Sequence, residues 1–163
     1  MMNVKNPVIS NDNFFTLGLK NLLSNELVND FFTIIDLDDI SDNDIQDIAS
    51  RDKEVVAFAS NDLSSLYANK FIKVPVLDKR CSLKDILSYF MMKDEKGIYR
   101  SNTNLTKRET EIVTLLRNGF SHDEIAKKLN IADKTMYCHK RNLMKKLGCE
   151  NRIDFQKMLL QTR

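Results

Sequence analysis

Lys134, Tyr137, Lys140, Arg141 and Lys145 recur three or four residues apart, so a helix through them gathers four cations and one aromatic ring on a single surface. The chemistry such a surface offers is recognition rather than bond making. Ammonium groups pair with phosphates as point charges, and a guanidinium fork such as that of Arg141 pairs bidentately with guanine O6 and N7, worth about 1–3 kcal/mol of discrimination between bases. Catalytic constellations are missing by comparison. The four glycines, at 18, 97, 119 and 148, form no phosphate-cradling loop, and no nucleophile–histidine–acid spacing is present. Cys81, Cys138 and Cys149 include no C-x-x-C pair and only two histidines accompany them, so neither a metal site nor a disulfide framework is expected. The sequence therefore predicts no catalytic residue, no metal and no cofactor, and its cysteine usage fits a reducing, cytoplasmic compartment. Cys138 falls on the basic surface, where a small apolar contact is the simpler reading than a redox sensor.

The elements that must hold this surface are written in the flanking residues. Thr106 with Glu109, and Ser121 with Glu124, are two S/T-x-x-E boxes, each able to satisfy orphan N–H groups at a helix start. Ile112, Val113, Leu115 and Leu116 follow the first box at helical spacing, and Gly119 offers a left-handed stop. A short second helix over about 122–129 presents Ile125, Ala126 and Leu129. Three residues, Asn130, Ile131 and Ala132, then separate it from a basic helix over about 133–147 that turns Met136, Leu143 and Leu147 inward and ends at Gly148. Two helices joined by so short a turn form a helix-turn-helix, with Ala126 small enough for the crossing and Asn130 tolerant of positive φ in the turn. With Ala132 unable to cap, Asp133 is the expected N-cap of the third helix.

The run LTKRETEIVTLLRNGFSHDEIAKKLNIADKTMYCHKRNLMKKLGCENR, about a third of the chain, resembles without a gap the C-terminal domain of LuxR-type (GerE-like) transcription regulators. The resemblance implies a four-helix domain whose third helix enters the major groove of double-stranded DNA and whose last helix, from about Asn151, dimerises. Carried over position by position, it implies that Tyr137, Cys138 and Arg141 read bases and that Lys134, Thr135, Lys145 and Lys146 lie near phosphates. Tyr137 stands where the family commonly has Lys, trading a charge for a ring and hydroxyl. Glu109 and Arg152 correspond to a pair that ties the first helix to the last, and His139 to a packing or phosphate-side residue. Ile153, Phe155, Met158 and Leu159 are divided between core and dimer surface.

Charge separates the chain into two parts. Residues 1–92 carry 9 Lys or Arg against 14 Asp or Glu, and residues 93–163 carry 16 against 9, which the overall +2 conceals. The basic part supplies non-specific phosphate affinity, and the acidic part would be repelled by DNA. The domains are expected at 1–92 and 105–163, joined by the polar linker 93–104 with Gly97 as a flexible point. No apolar run approaches the ~20 residues needed to cross a bilayer, and the first residues carry no signal-peptide core, so neither membrane insertion nor export is expected.

In the acidic part, apolar runs at 8–9, 31–35, 55–59 and 71–77 alternate with expected helices near 14–24, 41–50, 62–69 and 82–92. That alternation predicts an α/β domain, a short parallel sheet with flanking helices, ahead of the all-α C-terminal domain. The segments VISNDNFFTLGLKNLL, IIDLDD and VLDKRCSLKDIL resemble pieces of a response-regulator receiver domain, although one strand–helix unit is missing. The resemblance implies Asp36 as phosphate acceptor, Ser60 as the hydroxyl and Lys79 as the lysine, but it puts the usual acidic metal pair on Ser10 and Asn11, with only Asp12 in reach as a substitute. Mg²⁺ prefers carboxylate oxygens, so a degenerate receiver kept for its surfaces is the favoured reading. The expected function is a regulator binding promoter DNA as a dimer and recruiting or excluding RNA polymerase without being phosphorylated. The alternatives are an auxiliary regulator acting as a heterodimer with, or by titrating, another regulator, and a response regulator phosphorylated at Asp36.

Overall fold

A computed structural model describes residues 6–39, 48, 52–71 and 73–160. The chain divides into two compact units, residues 1–100 and 101–163. Unit one is built on β1 (Val8–Ile9), β2 (Phe32–Asp36), β3 (Glu54–Ala59) and β4 (Val76–Asp78), all parallel and ordered β1-β2-β3-β4. Helices α1 (Asn13–Leu22), α2 (Asn25–Phe31), α3 (Asp62–Phe71) and α4 (Leu83–Met92) connect and follow the strands. The helix expected at 41–50 lies outside the described residues except at Ile48, which is helical and buried.

Strand alternation makes two cores, one on each face of the sheet. Ile34, Val56, Phe58 and Leu77 point to one face, where Leu19 and Leu23 of the α1 end, Val28 of α2, and Ile86 and Phe90 of α4 cover them. Ile35, Ala57, Ala59 and Val76 point to the other, together with Leu37 and Ile48. The β1–β2 connection thus covers one face and the β2–β3 connection places Ile48 on the opposite face, while both step the same way across the sheet. The order is what remains of a 2-1-3-4-5 sheet when its outer strand and the helix after it are absent.

Two expectations need correction here. Helix α2, capped by the Ser24 side chain on the Leu27 N–H, was not foreseen; its seven residues end at Phe31 and pass straight into β2. The strand expected over 71–77 is only Val76–Asp78, because α3 continues to Phe71. The 93–104 stretch is also fastened over its first half. Glu95–Gly97 form a 3₁₀ turn, Ile98 bridges antiparallel to Leu77, and the Tyr99 N–H donates to the Val76 carbonyl at 2.7 Å.

Unit two is α5 (Lys107–Arg117), α6 (His122–Leu129), α7 (Asp133–Lys146) and α8 (Arg152–Leu160). Its core is Ile112, Val113, Ile125, Ala126, Met136, Leu143, Phe155 and Leu159, all buried. Both S/T-x-x-E boxes close reciprocally as the sequence predicts, and Asn130 takes the left-handed conformation (φ 51°) that ends α6. The N-cap of α7 is Ala132 with no side-chain hydrogen bond; Asp133 is the first helical residue and does not cap.

Candidate nucleic-acid interface

The interface is set by which side of α7 the core claims. Met136 and Leu143 are buried to 1% and 0% exposure, which fixes the helix rotation and turns positions 134, 138, 141 and 145 outward on one stripe. Lys134, Thr135, Tyr137, Cys138, Arg141 and Lys145 are all exposed. Lys134, Arg141 and Lys145 enter no ion pair among the described residues. Charged side chains left uncommitted within the fold keep their donors available to an outside ligand.

The helices that hold α7 are braced by charge. The Arg108 guanidinium donates to the Leu129 carbonyl at 2.7 Å, holding the C-terminal end of α6, where the helix dipole favours a cation, and pairs with Glu111 at 3.1 Å. Buried Glu109 accepts from the Thr106 N–H at 2.8 Å and from the Lys146 ammonium at 2.7 Å. Burial alone would raise its pKa, but Lys146 and the Thr106 donors outweigh that and hold it below the ordinary carboxylate value. Lys146, which the resemblance places near phosphates, also reaches the Asn104 carbonyl at 3.2 Å and so has partners within the domain.

The expected Glu109–Arg152 pairing is not formed. Lys146 takes the carboxylate, and the Arg152 guanidinium instead lies 5.5 Å from the centre of the Tyr137 ring. That stacking, which sequence reasoning missed, brings α8 to the exposed side of α7 that carries Tyr137. His122 sits beside it. Its Nε2 is buried without a hydrogen-bond partner, and burial, with Lys140 and Arg152 nearby, pushes its pKa down. Lys140 is half-buried and His139 partly buried, whereas of the mixed apolar set Phe155 and Leu159 are core and Ile153 is 66% exposed.

In unit one the residues assigned to phosphate chemistry do converge. Asp36 is fully buried; its Oδ1 pairs with the Lys79 ammonium at 2.6 Å, and its Oδ2 accepts from the Ser10 hydroxyl at 2.8 Å. Lys79 also reaches Asp38 at 3.2 Å, and Asp38 in turn accepts from the Ser60 N–H at 3.1 Å. Burial would depress the Lys79 pKa, but Asp36 and Asp38 raise it above its usual value. Asp12 does not stand in for the missing acidic pair: its side chain caps α1, accepting from the Phe14 and Phe15 N–H groups. Among the described residues no cluster of His, Cys, Asp or Glu has metal-holding geometry.

A short receiver-like α/β unit followed by a helix-turn-helix unit is the architecture of two-domain response regulators. Residues 103–159 match the family model described as bacterial regulatory proteins, luxR family. The chain is 40% identical over 63 residues to an uncharacterized response regulatory protein, YgeK, of Escherichia coli strain K12, covering 39% of this chain and 43% of that protein. It is 30% identical over 94 residues to the transcriptional regulatory protein UhpA of the same strain, covering 51% and 48%. The matches thus span less than half the length of these curated relatives. Two solved structures share the fold across 96% of this chain and 97% of theirs: a two-component response regulator RcsB–DNA complex (TM-score 0.52, 20% identity) and two RcsB dimers bound to two parallel DNAs (TM-score 0.55, 19% identity). No helix among the described residues is long and apolar enough to cross a membrane.

Proposed function

We propose that this chain is a cytoplasmic transcription regulator that lays α7 in the major groove of promoter DNA, acts as a dimer, and recruits or excludes RNA polymerase without being phosphorylated. The observation that carries this reading is the uncommitted cationic stripe of Lys134, Arg141 and Lys145 opposite the buried Met136 and Leu143, within a domain that matches the luxR-family model. Arg141 is the base-reading side chain, flanked by Tyr137 and Cys138; Lys134, Thr135 and Lys145 contact phosphate; Lys146 supports them from within. A two-fold pair would set two α7 helices about one turn of duplex apart.

Control by phosphate is disfavoured by the same geometry. The Asp36 carboxylate is fully buried, with one oxygen on Lys79 and the other on Ser10, and the neighbouring acid Asp12 is committed to the α1 cap. Control by abundance or by a partner regulator fits this arrangement better. The reading is tested by titrating duplex DNA at several salt concentrations. Lys145→Ala should weaken all sequences alike and reduce the salt slope by about one unit, whereas Arg141→Ala should weaken only the specific site, by about 1–3 kcal/mol. Equal losses on every sequence would remove the role given to Arg141.

A further inference from the structure

Arg152 does not have the partner that the resemblance gives it. Lys146 occupies the Glu109 carboxylate at 2.7 Å, and the Arg152 guanidinium, at the exposed start of α8, lies 5.5 Å from the centre of the Tyr137 ring. A second cation stands in the same neighbourhood. Lys140, one turn along α7 from Tyr137, is half-buried, and burial pushes its pKa down. Both cations act on His122, the first residue of α6. Burial, then Lys140 and Arg152, hold the His122 pKa down against the opposing pull of Asp123, and its Nε2 is buried without a hydrogen-bond partner. Glu124, the other acid in the first turn of α6, is committed to the Ser121 N–H. Among the described residues neither Lys140 nor Arg152 enters an ion pair. Two cations from two helices thus gather beside the positive end of a third, with no carboxylate closed on them, and an anion is the ligand that such a field attracts.

We infer that Lys140 and Arg152 form a second phosphate-binding site on the flank of α7, so that the start of α8 meets the DNA backbone. Such a site presupposes the proposed reading of DNA by α7. At about 100° per residue, Lys140 and Tyr137 stand about 40° and 100° round the helix from buried Met136, whereas Lys145 stands at about 180°. An α-helix about 10–12 Å across fills a major groove about 12 Å wide, so the middle of its outward stripe meets base edges while its flanks and ends meet the sugar–phosphate walls. Lys140 and Arg152 belong to one flank. The planar Arg152 fork, stacked on the Tyr137 ring, pairs bidentately with phosphate oxygens, and Lys140 adds a point charge beside it. The helix that the resemblance assigns to dimerisation therefore carries a DNA contact at its first residue.

The test is titration of heterogeneous duplex DNA with the full chain at several salt concentrations, with Lys145→Ala as the reference variant. Arg152→Ala and Lys140→Gln should each weaken binding about fivefold at ~0.15 M salt and lower the salt slope by about one unit, on every sequence alike. Arg152→Lys keeps the charge and should keep the slope, whereas Arg152→Glu should lower it further than Arg152→Ala. Arg152 is exposed, so all three of its variants should unfold at the wild-type urea midpoint, which separates a lost contact from a damaged domain. Wild-type slopes in Arg152→Ala and Lys140→Gln, beside a lowered slope in Lys145→Ala, would overturn this site alone. Affinity lost at an unchanged slope, or a slope lost equally in Arg152→Lys, would also overturn it. A wild type that retains no duplex at low salt would sink the DNA reading and this site with it.

Discussion

Removing the Glu109 carboxylate should loosen the whole helix-turn-helix, because that one side chain accepts both the Thr106 N–H of the α5 cap and the Lys146 ammonium of α7. The N-cap share is about 1 kcal/mol. A charge-assisted bond contributes about 1.5–3 kcal/mol, but Lys146 is 37% exposed and solvent screening brings its share to about 1 kcal/mol. Glu109→Ala should therefore cost about 2 kcal/mol, and Glu109→Gln, which keeps an acceptor for Thr106, about 1 kcal/mol. For a unit of this size each kcal/mol lowers the melting temperature by roughly 4–8 °C. Because the folded pKa of Glu109 lies below its unfolded value of about 4.3, its contribution is complete above that pH and is lost as pH falls through the folded value. Glu109→Gln should thus be flatter than wild type in acid. The assay is urea unfolding of the full chain at several pH values, with amide exchange to locate the loss. Costs under about 0.5 kcal/mol for both variants, or lost protection confined to unit one, would refute the reasoning.

Leu143→Ala empties a site with 0% exposure and should cost about 2–5 kcal/mol in unit two, read by chemical denaturation. His122 has a folded pKa below its unfolded value of about 6.5, so the stability it supports above that pH declines as pH drops through the folded value. His122→Gln should be less pH-sensitive than wild type between pH 7 and 5, measured by the same unfolding experiment; identical slopes would contradict this. Incubation with acetyl phosphate and Mg²⁺ should leave the intact mass unchanged, whereas phosphate uptake that disappears in Asp36→Asn would restore the response-regulator alternative.

The C-terminal unit was legible because its signals are local. Each S/T-x-x-E box lies within four residues, and the inward positions 136 and 143 follow helical period. The Ala132 cap shows where local reasoning stops: the neighbouring bonds and the packing of Met136 hold the start of α7 without a side-chain acceptor. Which base pairs with Glu109 was not legible, because Lys146 is 37 residues away, Arg152 is farther still, and no spacing chooses between them. Only the packing of α8 sends Arg152 to Tyr137. In unit one, Asp36 and Lys79 were identifiable through the resemblance of IIDLDD and VLDKRCSLKDIL to receiver segments, and the two meet at the C-terminal ends of the parallel strands. The Ser10 hydroxyl bond to Asp36 and the employment of Asp12 as a cap depend on distances that no spacing encodes. The seven-residue α2 was missed because its apolar residues run on into β2.

The most direct test of the central claim is selection of bound fragments from randomised duplex DNA by the purified protein at near-physiological salt, with Arg141→Ala alongside. A recovered two-fold related site that vanishes with Arg141→Ala is the result expected of a self-sufficient dimeric regulator reading DNA with α7. Sequence-blind, salt-sensitive retention equal in both proteins, or no retention at all, would contradict it.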